Sequence, residues 1–79
     1  MSNTPHELAA EFPGQADRLH ALKAANAHFA RLVEEYHDIN RAVHRAETRA
    51  EIVTEDHEAR LRKRRLALKD EIARMLAAG

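Results

Sequence analysis

Six histidines and a run of six cations are the residues whose types and spacing suit chemistry in this 79-residue chain. Glu34-x-x-His37 has the i, i+3 spacing with which carboxylate and imidazole hold iron in four-helix bundles, and a pair of copies would supply a dinuclear site. Heptad position argues against it. With Phe29, Tyr36 and Val43 at position a, Glu34 falls at f and His37 at b, both directed at water, and His20 and His44 point outward too. No His-x-x-x-His pair offers two imidazoles to one ion from a single helix face. Surface histidines, with no metal site and no cofactor, are the expectation. Covalent chemistry has less support still. Cysteine is absent, and the hydroxyls (Ser2, Thr4, Tyr36, Thr48 and Thr54) sit in no recognisable motif. With glycine only at Gly14 and Gly79, no loop is built to cradle a phosphate. No catalytic residue is predicted, and the chain is not expected to be an enzyme.

The basic run comprises Arg60, Arg62, Lys63, Arg64, Arg65 and Lys69, with no acid between them. That is enough for several phosphate contacts. Its neighbours oppose that use. Glu55, Asp56 and Glu58 precede it at helical spacing and favour a Glu58–Arg62 pair. Glu34, Glu35 and Asp38 lie opposite the same stretch once the chain folds back. Across the whole chain 13 basic side chains balance 13 acidic ones, which disfavours a general polyanion binder. An ion-paired, solvated face is the first expectation, and a nucleic-acid site on residues 60–69 the alternative.

The elements that position these residues are helices. Leu22, Ala25, Phe29, Leu32, Tyr36, Ile39, Val43 and Ala46 recur at steps of three and four, as do Leu61, Arg65, Leu68, Ile72 and Met75. The pattern predicts an all-α, coiled-coil-like antiparallel hairpin over residues 15–79. Its helices run from about 15 to 48 and from about 55 to 77, joined by a turn at about 49–54. The β-branched Ile52-Val53-Thr54 is the weakest helix-forming patch, and Thr54 is placed to cap the second helix. Arg74 is the cation nearest the far end of that helix. Asn26 would suit an N-cap, but Leu22 and Phe29 stay seven apart across it, so one continuous or slightly kinked helix is predicted there. Ahead of the hairpin, residues 1–14 form a short helix and a break. Thr4, Pro5 and Glu7 have the order of a capping box, and Phe12-Pro13-Gly14 ends the segment.

Folding back near residue 51 sets Phe29 near Ala73, Tyr36 near Leu66 and Val43 near Ala59. Arg65 is the one charge on the seam. Its stem should lie along the groove with the guanidinium beside Tyr36 or Asp38. Each fully buried seam residue contributes roughly 1.5–3 kcal/mol, whereas ordering the chain costs on the order of 1.5 kcal/mol per residue, so a lone hairpin is marginal. Leu19 and Val33 on the first helix, and Leu66, Ala73 and Leu76 on the second, form further apolar edges. Those five residues are predicted to meet another copy, giving a homo-oligomer, dimer or tetramer, built as a four-helix bundle.

No apolar run approaches the roughly 20 residues of a membrane span. The first fourteen residues lack the basic start and apolar stretch of an export signal. Cytoplasmic residence, with no membrane partner, is expected.

The run Arg65-Leu66-Ala67-Leu68-Lys69-Asp70-Glu71-Ile72, ending in Met75-Leu76, resembles the signature of the YdcH-like family, short bacterial proteins of unknown function. His28-Phe29-Ala30-Arg31-Leu32, Tyr36-His37-Asp38-Ile39-Asn40, Val43, Arg45-Ala46-Glu47 and Leu19-His20-Ala21-Leu22-Lys23 are similar to theirs as well. The resemblance spans roughly residues 7 to 76. It implies a helical hairpin in the bacterial cytoplasm and transfers no catalytic residue. The functional expectation is a non-enzymatic interaction module that self-associates and binds an unidentified protein partner.

Overall fold

Asn26 decides how this chain folds. Its backbone leaves the helical region (φ −134°, ψ 108°), its N–H closes the helix behind it on Leu22 O at 2.9 Å, and its side-chain Oδ1 accepts from Phe29 N at 3.1 Å. One residue thus ends one helix and caps the next, because the short Asn amide competes for backbone hydrogen bonds as few side chains can. A computed structural model of the protein describes residues 7–78. In order the helices are α1 (Leu8–Glu11), α2 (Ala16–Ala25), α3 (Ala27–Glu47) and α4 (Glu55–Ala78). The continuous helix predicted over residues 15–48 is therefore two helices meeting at Asn26. Heptad phase survives the break, but phase constrains only which face is apolar, not whether the axis bends.

α3 and α4 form the antiparallel pair, and α2 packs on both. The connection from α3 to α4 holds no glycine. Thr48 Oγ1 donates to His44 O at 2.9 Å. Arg49 then takes the left-handed conformation (φ 64°) that usually goes to glycine after a helix, and Arg45 Nε reaches Glu51 Oε1 at 3.1 Å. Thr54 Oγ1 accepts from His57 N at 3.1 Å and caps α4. At the other end, Gln15 N donates to Phe12 O at 3.1 Å across Pro13-Gly14, with Gly14 at φ 80°. Proline followed by a left-handed glycine is the type II turn pattern. Glu7 is the N-cap residue of α1, without a side-chain cap bond. Thr4 and Pro5, the other members of the predicted capping box, lie outside the described residues.

The bend at Asn26 and the turn at Gly14 lay α1 and α2 over the open side of the hairpin as a clasp. Leu8 and Leu19 from the clasp join Phe29, Val33, Tyr36, Leu68, Ile72 and Leu76 in one buried cluster. This corrects the predicted oligomer edges. Leu19, Val33 and Leu76 are core residues of the single chain, Ala73 is half-buried, and Leu66 alone of the five stands exposed. A seam that was expected to need a second hairpin is covered by the chain's own first helices. Covering α3 from two sides also turns its buried face. Val33 and Asn40 are fully buried, while the heptad residues beside them, Leu32 and Ile39, are half-buried.

The fold is all-α, and among the described residues no helix is long and apolar enough to cross a membrane. Phe29 is fully buried, so Phe29→Ala should cost about 3–5 kcal/mol in urea unfolding, from lost burial plus the cavity left behind. Arg49→Gly should act the other way. Relief of a left-handed side chain is worth about 1–2 kcal/mol and the added freedom of the unfolded chain costs about 0.5–1 kcal/mol, so the same measurement should show a net gain of about 0.5–1 kcal/mol. A loss there would mean that Arg49 makes a stabilising contact in solution.

Candidate interaction surfaces

α4 brings Arg65 against the buried side of α3. Its Nη1 donates to Asn40 Oδ1 at 3.0 Å, and Asn40 is 1% exposed. The expectation that the Arg65 stem lies in the groove with its guanidinium beside Tyr36 or Asp38 is met at Tyr36, while its hydrogen-bond partner is Asn40 and Asp38 pairs with Arg41 on its own helix. Asn40 does not stand out in the sequence because the heptad stripe runs through its neighbour Ile39 to Val43. Its spacing, four after Tyr36 and three before Val43, places it on the same face once that face is widened by one position. A buried amide facing a guanidinium is satisfied only when the two helices sit in one register, the use best attested for a polar group in a helical seam.

Tyr36, also fully buried, lies next to this pair. Burial foremost, and after it the Glu11 carboxylate nearby, push its hydroxyl up to about 12, while Arg65 pulls the other way. Its ring meets His37 edge-on, with centroids 6.2 Å apart. His37 in turn contacts Glu7, Nδ1 to Oε2 at 3.3 Å. The prediction that His37 and His44 face open water is corrected on this point, since both are half-buried. Glu34 and His20 are exposed as predicted. Among the described residues no group of three or more His, Cys, Asp or Glu is placed to hold a metal.

The basic run is largely used within the chain. Arg62 pairs with Glu58 one turn earlier and with Glu47 across the hairpin at 2.9 Å. Arg64 Nε reaches Glu35 Oε2 at 2.9 Å, and Lys69 Nζ reaches Glu11 Oε1 at 2.6 Å. Only Arg60 and Lys63 of the six are exposed without an acidic partner among the described residues. The Lys69–Glu11 contact also ties α1 to α4. A second tie runs from Arg18 Nε to Leu76 O at 2.9 Å, where α4 runs out of backbone donors for its last carbonyls. This clasp residue, rather than Arg74, is the cation serving that helix end, because Arg74 pairs with Glu71.

Two openings flank the clasp. One, of about 180 Å³, lies between Glu11, Tyr36, Arg62, Arg65, Leu66 and Lys69. Leu66 at its rim is 59% exposed, ringed by cations. The other, of about 240 Å³, has Leu8, Leu19 and Val33 at its floor with Glu7, His20, Lys23 and His37 around them. At the hairpin tip Ile52 is 87% exposed.

A family model, described as a protein of unknown function (DUF465), matches residues 29–76. The chain belongs to the DUF465 family. The DUF465 match opens at Phe29 and closes at Leu76, so it takes in nearly all of α3 and α4 and leaves out the clasp. The likeness read from the sequence had reached back to residue 7. No curated protein and no solved structure matches the chain.

The Tyr36 hydroxyl gives this DUF465 core an alkaline limit. The folded state holds the proton more tightly than the unfolded state, so Tyr36 adds stability at every pH below about 10. That contribution disappears as pH rises from about 10 to about 12. On the order of 2–3 kcal/mol should be lost across this window. In Tyr36→Phe the loss should be clearly smaller, and equal alkaline unfolding of the two proteins would show that another group is responsible.

Proposed function

We propose that this chain is a non-enzymatic helical interaction module of the cytoplasm that self-associates, as dimer or tetramer, and docks a protein partner. The carrying observation is Leu66, a large apolar side chain left 59% exposed in the middle of α4 and framed by Arg62, Arg65 and Lys69. An apolar centre inside a polar rim is the layout of a protein–protein interface. Membership of the DUF465 family is compatible with the resemblance to YdcH-like proteins, and a YdcH-like helical module is the reading adopted here.

A second reading has its own observation. Arg60 and Lys63 stand three apart on one exposed face and have no acidic partner among the described residues. With Arg62, Arg64, Arg65 and Lys69 already engaged, they supply few phosphate contacts, and the protein reading is preferred.

Self-association should appear as a melting temperature and a solution mass that rise between about 1 and 100 µM protein, since association stabilises only the folded chain. Leu66→Glu should leave the helical circular dichroism unchanged and abolish stoichiometric capture of the protein partner by the tagged chain. Retained capture would remove Leu66 from the interface. A titration with duplex oligonucleotide at about 50 and 200 mM salt separates the second reading, because phosphate contacts weaken steeply over that range. Tight, salt-sensitive binding lost in a variant with Arg60→Ala and Lys63→Ala would move the assignment to nucleic acid.

A further inference from the structure

α2 and α3 are held apart by the backbone of one residue. Asn26 is extended, yet Leu22 and Phe29, and Ala25 and Leu32, stay seven apart across it. The apolar pattern is therefore compatible with a helix that runs straight through. If residue 26 turned helical, residues 16–47 would form one rod about 48 Å long. That movement would lift α1 and α2 off their own hairpin and uncover Phe29, Val33, Leu68, Ile72 and Leu76, the face that the clasp residues Leu8 and Leu19 now cover.

The structure already shows what fits that face, namely residues 7–25 of this chain. A second copy carries the same segment. We infer that the chain self-associates by exchanging its clasp, with Asn26 as the hinge: α1 and α2 of each copy seat on the α3–α4 hairpin of the other. The exchange needs no new surface, because Glu11–Lys69 and Arg18–Leu76 O form between copies as they form within one. It deepens the self-association part of the proposed function and rests on it. The DUF465 match opens at Phe29, so the clasp and its hinge lie outside it.

The local chemistry sets which form prevails. The bent form keeps the Asn26 cap on Phe29 N, while the straight form places a weak helix former in a helix interior. Asn26→Ala reverses both preferences. Loss of one cap disfavours the bent form about fivefold per chain, so the dimer dissociation constant should fall on the order of 30-fold. Ala27→Pro does the opposite. Proline is tolerated at the first position of α3, and it holds the residue before it in the extended region that Asn26 already occupies.

The test uses the full chain, which has no cysteine of its own. Glu11→Cys and Lys69→Cys are added together and joined with a short thiol cross-linker, in an equal mixture of nitrogen-15-labelled and unlabelled protein. In the Asn26→Ala background the expected product is a dimer by sedimentation, with 11–69 links joining labelled to unlabelled chains. In the Ala27→Pro background the links should stay within one chain and the mass should be that of a monomer. A dimer whose 11–69 links remain intrachain would overturn the exchange and leave self-association standing through another surface. A folded Asn26→Ala protein that is monomeric throughout the micromolar range would overturn both. Should Asn26→Ala fail to fold, a parent dimer unaffected by Ala27→Pro overturns the hinge by itself.

Discussion

The structure depends on α3 having to be covered from two sides. Its buried positions, Phe29, Val33, Tyr36, Asn40, Val43 and Ala46, run in a stripe wider than one antiparallel neighbour can close. α4 covers most of it with Leu68, Ile72 and Leu76, and the remainder would stand open to water. Two short helices and a tight turn close it at little cost in chain length. Their own apolar content is small: Leu8 and Leu19 are their fully buried residues, with Phe12 and Leu22 packed alongside. Polar ties from Glu11 and Arg18 to α4, and from Glu7 to α3, add direction to a packing that apolar contacts alone would leave free to slide.

Charge in this molecule is spent largely on its own architecture. A basic run that would suit a polyanion in an isolated helix is read differently once α3 lies beside it. Glu35 and Glu47 meet Arg64 and Arg62 across the hairpin, and Glu11 meets Lys69 from the clasp. Arg65 goes inward to a neutral amide. Exposed pairs of this kind add little stability, but they lower the local field and favour one pairing of helix faces over others. Among the described residues, α4 leaves exposed an apolar residue with a charged surround on one face and, on another, two cations without an acidic partner.

Much of this was legible in the sequence, and the misses have physical reasons. Periodicity located α3 and α4, and the β-branched patch Ile52-Val53-Thr54 located the turn and put Thr54 in place as a cap. Periodicity was blind at Asn26, because an apolar stripe that keeps its phase is equally consistent with a straight axis and a bent one. Nor could it say what covers Leu19, Val33 and Leu76, since an apolar edge looks the same whether its cover comes from another molecule or from elsewhere in the same chain. Asn40 was passed over because polar residues are read as outward by default, and Arg65, which helps satisfy it when buried, comes from the other helix. The basic run could be counted from composition, but which of its members stay free depends on cross-hairpin neighbours.

The clasp and the part of its seat on α4 lie far apart along the chain: both the Glu11–Lys69 and the Arg18–Leu76 contacts join residues 58 positions apart. The hairpin, by contrast, closes through a turn of a few residues. Loop closure favours the local pairings first, so the hairpin forms before the ties from the clasp to α4 can close. During synthesis the delay is built in. At roughly 5–20 residues per second, the first helices wait about 3–12 seconds for the residues that will hold them. For that interval a nascent chain carries a clasp without the α4 half of its seat, and on a crowded polysome the nearest finished seat belongs to a neighbour.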